Sequence, residues 1–118
     1  MFRTLLFTVV TALLTLPGVS IAALDMLEDA AELPVAGVQL PGSAAGQLVF
    51  RGCSGCEPTI WQVAASTRYQ SFIPAEPGVD REVTLGELRH AFASGQAELL
   101  VVFYKPNTNE VTRLLLRR

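Results

Sequence analysis

Cys53 and Cys56 are the only cysteines of the 118-residue chain, and both lie in the run Arg51-Gly52-Cys53-Ser54-Gly55-Cys56-Glu57-Pro58. Two thiols at this spacing support three kinds of chemistry. The first is a structural disulfide, which small exported domains use because their cores are small. Gly52 and Gly55 would supply the turn geometry so tight a bridge needs. Closing it removes about 2 kcal/mol of chain entropy at most in the loop-closure model. That matters for a unit whose core supplies only about 3–5 kcal/mol. The second is thiol–disulfide exchange, with Cys53 attacking and Cys56 resolving the mixed disulfide. This requires a thiol pKa depressed by a cation or a helix N-terminus. Arg51 is adjacent, and a helix starting at Pro58 would add its dipole. The third is half of a tetrahedral metal site, with His90 as a third ligand.

The structural bridge is the expectation, and the redox role of Cys53 and Cys56 is the alternative. No βαβ unit flanks the motif, and no further helices cover a central sheet as a thioredoxin-like domain requires. No second cysteine pair completes a metal site. His90, the single histidine, falls off the apolar stripe of its helix, at a solvated position. Nothing brings Cys53 or Cys56 to His90 as a nucleophile–base pair. Glu76, Asp80 and Glu82 sit in or beside a loop, but at no recognised cation-loop spacing. No glycine-rich phosphate loop precedes a helix. Trp61 and Tyr69 offer an aromatic surface, although a core role is expected of a lone tryptophan in so small a domain. No catalytic residue, cofactor or metal ligand is assigned.

The elements around the motif begin with a leader. Arg3, the apolar run from Leu5 to Leu16, the break at Pro17-Gly18 and the small residues Ser20 to Ala23 read as a signal peptide over residues 1–23, cut after Ala22 or Ala23. The apolar run is shorter than the ~20 residues of a membrane span, so no span is expected after cleavage. Without Arg3 the chain keeps eleven acidic residues against eight basic, a formal charge of −3. That balance argues against nucleic acid as a partner and offers no attraction to anionic lipid.

Residues 24–46 read as a flexible acidic segment followed by a Pro/Gly-rich linker. A marginal helix is expected over 24–32, and no period survives from Leu33 to Gly46. The β-rich domain is expected over 47–118. Strands are read at 47–51, at 59–63 in competition with a helix from Pro58, and at 67–73. Residues 74–80 read as a loop. Thr84 and Glu87 form a capping box for a helix over about Thr84–Ala93, whose stripe is Leu85, Leu88 and Phe92 and whose stop is Ser94-Gly95. Leu99 to Phe103 is a strand buried on both faces. Residues 105–109 form a turn, and Val111 to Leu116 return to make a hairpin. The fold class is α+β, mainly β: a small five-stranded barrel-like or strongly curved antiparallel sheet with one helix.

From Val63 onward the pattern resembles a family of small exported bacterial OB-like or SH3-like barrel domains with no assigned activity. The residues that carry it are Val63-Ala64-Ala65-Ser66-Thr67-Arg68-Tyr69, Val83-Thr84-Leu85-Gly86-Glu87-Leu88, Val101-Val102-Phe103-Tyr104 and Glu110-Val111-Thr112-Arg113-Leu114. The cysteine pair lies outside that pattern, and the resemblance brings no catalytic residues. The expectation is a secreted or periplasmic, non-enzymatic binding or accessory module of the cell envelope with an envelope protein as partner.

Overall fold

The computed structural model describes residues 27–118, so the leader read at 1–23 lies outside the described residues. In chain order the strands are β1 (Asp29–Pro34), β2 (Val38–Gln39), β3 (Gln47–Phe50), β4 (Thr59–Gln62), β5 (Arg68–Ile73), β6 (Glu76–Val83), β7 (Leu99–Lys105) and β8 (Glu110–Arg117). A 3-10 turn, Val35–Gly37, joins β1 to β2, and the helix α1 (Leu85–Ala93) stands between β6 and β7.

The most apolar hairpin organises the sheet. β7 and β8 pair antiparallel from Leu99↔Arg117 to Lys105↔Glu110. Leu100, Val102, Leu114 and Leu116 reach into the core with no exposed surface, and Val101 and Leu115 are buried on the opposite face. The continuous apolar run therefore means burial on both faces, as read. β7 pairs on its other side with β1, in register from Asp29↔Tyr104 to Pro34↔Leu99. The far edge of β8 is shared. Its start meets β4 at Gln62↔Glu110, and its later part runs parallel to β5 from Arg68↔Arg113 to Ser71↔Leu116. β4 continues antiparallel to β3 and then β2, and β5 pairs antiparallel with β6.

Among the described residues the fold is mainly β with one helix, as expected, but the sheet has eight strands rather than five, is mixed rather than purely antiparallel, and does not close. The additional strands lie where composition hid them. Residues 29–34 form a strand, not the helix expected over 24–32. Ala31 and Leu33 turn inward while Ala30, Glu32 and Pro34 stay exposed, a period of two, and pairing with β7 outweighs a helix too short to hold alone. Pro34 is tolerated at the end of an edge strand. The linker expected from Leu33 also carries structure. Leu33 belongs to the core cluster, Val35, Val38 and Leu40 pack against it, and Pro41 is fully buried. The sheet thus begins well before Gln47. The loop read at 74–80 reduces to a turn at Pro74 and Ala75. The register then jumps from Phe72↔Asp80 to Ile73↔Glu76, so Pro77, Gly78 and Val79 bulge out of an edge strand, where proline and a glycine at φ 82° are accommodated.

α1 forms as the capping box demands. The Thr84 hydroxyl accepts from the Glu87 amide at 3.1 Å, and the Thr84 amide donates to the Glu87 carboxylate at 3.2 Å. Leu88 is fully buried, with Leu85 and Phe92 partly buried against the same core. Gly95, at φ 79°, follows the helix end.

Candidate functional site

β3 and β4 pair from Gln47↔Gln62 to Phe50↔Thr59, which leaves residues 51–58 as the bend between them. Cys53 and Cys56 are disulfide-bonded within that bend, their Cα atoms 5.1 Å apart. The Cys56 amide donates to the Cys53 carbonyl at 3.2 Å, closing a turn under the bridge. Gly55 occupies it at φ 94°, a conformation glycine adopts without penalty. Pro58 leads directly into β4, so the competing helix does not form and no helix N-terminus faces Cys56. Cys53 is exposed and Cys56 half-buried.

The bend is anchored from below. The Arg51 amide donates to the Gly37 carbonyl at 3.0 Å, and the Arg51 guanidinium donates to the Cys56 carbonyl at 3.5 Å. Gly37 is needed for closeness: a Cβ there would stand 2.6 Å from Cε2 of Phe50 and nearer still to the Arg51 carbonyl. Residues 36–39, Val49 and 51–54 line an open cleft of about 460 Å³ beside the disulfide. Among the described residues that line it, Arg51 alone has an ionisable side chain.

The other sequence candidates do not converge on this cleft. His90 is exposed on α1 and lines a separate groove of about 480 Å³ between the helix and the β5–β6 hairpin, with Phe72, Arg81, Val83 and Glu87. Glu82 accepts from Arg68 and Gln70, whereas Asp80 faces a different cleft with Arg117 and Arg118. Among the described residues no group of three or more His, Cys, Asp or Glu side chains is placed to hold a metal ion. Trp61 and Tyr69 belong to the core, and the Trp61 ring lies 5.7 Å from that of Tyr104. Burial raises the Tyr69 phenol above its ordinary value. Tyr104 is raised too, first by desolvation, then by the charge and hydrogen bond of Asp29.

A second constellation, on the outer face, joins residues far apart in the sequence. Arg68 and Arg113 are direct partners across the parallel β5–β8 pair. The Arg113 guanidinium lies 3.9 Å over the Phe103 ring and donates to Oε1 of Gln70 at 3.1 Å. Gln70 in turn donates to Glu82 at 3.1 Å, and Arg68 pairs with the same carboxylate oxygen. Arg68, Lys105 and Arg113 line an open pocket of about 460 Å³ with Glu28, Glu110, Ser66 and Thr112. Only the alternation of β5 and β8 signals this cluster in sequence, and using that signal requires knowing that the two strands are parallel neighbours.

Over the described residues, fold and site together define a mainly β domain with one helix and a disulfide-closed hairpin bend. No protein-family model matches the chain, and neither does any curated protein or solved structure. Among the described residues no helix is long and apolar enough to cross a membrane.

Proposed function

We propose that the chain is an exported, non-enzymatic binding or accessory module of the cell envelope, in which the Cys53–Cys56 disulfide is a structural staple. The observation that carries this reading is the setting of the disulfide. It sits at a bend between two antiparallel strands, with no helix following it and, among the described residues, no ionisable side chain but Arg51 lining the cleft beside it. Export by a leader cut after Ala22 or Ala23 belongs to the same proposal. It is supported by the charge, apolar length and small-residue site of residues 1–23 and by the presence of a disulfide, which persists in oxidising compartments. Kinship with OB-like or SH3-like barrels is likewise proposed. It is supported by the order strand, capped helix, closing hairpin over residues 68–117, and by edge strands β1 and β2 that are joined through one short turn.

The redox alternative has one observation in its favour, the exposure of Cys53. Reduction potential separates the two. A value below about −300 mV marks a staple, and one between about −270 and −120 mV marks an exchange catalyst. A double substitution of Cys53 and Cys56 by serine that lowers stability without abolishing partner binding fits the module. Persistent failure of the folded, wild-type protein to capture any envelope partner overturns it.

A further inference from the structure

We propose that the pocket between β5, β7 and β8 receives a carboxylate of the protein partner, with Arg113 as its principal contact and Arg68 beside it. The inference rests on the binding-module reading and names the chemistry of that partner. Arg68 and Arg113 stand directly opposite each other on one face of a strand pair, where like charges cost stability. Glu82 pairs with Arg68 but reaches Arg113 only through Gln70, so a further carboxylate in the pocket would compensate the second guanidinium. The geometry holds Arg113 ready. Phe103 supports the flat of its guanidinium, and Gln70, itself held by Glu82, fixes one edge. Five donors in a planar fork, with one engaged by Gln70, match a carboxylate better than a point charge does.

The other lining cations are paired. Among the described residues Arg68 is paired with Glu82, and Lys105 stands 4.0 Å from Glu110. Glu28 also lines the pocket. Arg113 is the lining cation whose described partners are an amide and a ring rather than a carboxylate. Arg113 as a whole is half-buried, so a carboxylate against it is less screened than at an open surface.

The test is an amide-resolved NMR titration at fixed ionic strength with four probes. One is an N-acetylated, C-amidated alanine peptide carrying a single glutamate, and the second an N-acetylated alanine peptide with a free C-terminus. The third is its amidated form, and the last inorganic phosphate. A saturable response at Arg68, Thr112 and Arg113, with Kd of ~1–10 mM for at least one carboxylate peptide, is expected of a single charged group. The two carboxylate peptides distinguish a side chain from a chain end as the source. Arg113→Gln should weaken that binding ~10-fold or more, and Arg113→Lys should recover only part of it. Should Arg113→Gln fail to fold, the exposed Arg68→Gln is read instead, with a ~3-fold or greater loss expected.

Equal binding by the variant that is read, no saturation by either carboxylate peptide, or binding of phosphate alone overturns the proposal. Failure here leaves the module reading intact if wild-type protein still captures an envelope partner. If it captures none, the module reading falls whatever the peptides do.

Discussion

The Thr67 hydroxyl donates to the Val111 carbonyl at 2.7 Å and accepts from the Ala64 amide at 2.9 Å. This buried link lies where the chain passes from β4 to β5 and the edge of β8 changes partner. Thr67→Val keeps the shape and deletes the hydroxyl, leaving a buried carbonyl and an amide without their partner. The expected loss is about 1–3 kcal/mol, read as a fall in Tm of about 4–8 °C per kcal/mol in a domain of this size. Thr67→Ser should retain most of the stability.

Gly37 and Gly42 make a matched pair. Gly37→Ala drives a methyl into Phe50 and the Arg51 carbonyl and should cost about 1–3 kcal/mol in denaturant unfolding. A Cβ on Gly42 meets nothing within 4 Å, so Gly42→Ala should stay within about 0.5 kcal/mol of wild type. Equal effects at the two positions would contradict the close packing of the turn Val35–Gly37 under the cysteine bend.

Reducing the disulfide should weaken the domain without unfolding it. The loop it closes is so short that the chain-entropy model assigns it about 2 kcal/mol. Cys53→Ser with Cys56→Ser should show that loss with an unchanged m-value, and added reductant should affect only the wild type. Loss of the cooperative transition in the variant would mean that the bend nucleates more of the sheet than its hairpin.

The chain has two tyrosines, and both phenols are raised above the ordinary value of 10.0. A group that holds its proton more tightly when folded adds stability that is complete below the unfolded pKa and is lost as pH rises through the folded one. Stability should therefore decline above pH ~10. Absorbance at 295 nm should titrate later in the native protein than in denaturant. The Tyr69 hydroxyl is buried with no partner among the described residues, so Tyr69→Phe should be neutral or mildly stabilising, by up to about 1 kcal/mol. The variant should also abolish the part of the alkaline loss that belongs to Tyr69.

The elements legible in the sequence are those whose signals are local. Thr84 and Glu87 announce the start of α1 within four residues, and Leu99 to Phe103 with Val111 to Leu116 announce the hairpin on either side of an Asn-containing turn. The β-branched and aromatic cluster Thr59-Ile60-Trp61 identified β4 against a competing helix. What escaped depends on distant partners. Ala30 and Ala31 carry little strand preference, and residues 29–34 become a strand because Leu100 and Val102 stand beside them. Pro34, Gly37, Pro41 and Gly42 look like a linker, yet Leu33 just before them and Val38 and Leu40 between them pack on the core. The cysteine bend was readable as a bend because Gly52 and Gly55 flank its thiols. The Arg68–Arg113 pair was not, because a parallel register leaves no trace in either strand alone.

β1 and β2 lie on opposite flanks of the strand path β1-β7-β8-β4-β3-β2, yet only three residues separate them in the chain. Synthesis delivers this segment before β7, the neighbour that β1 requires. Residues 29–34 must therefore wait, unpaired, until Leu99–Lys105 has emerged. A nascent chain halted before Leu99 should remain open to proteases along its first strand.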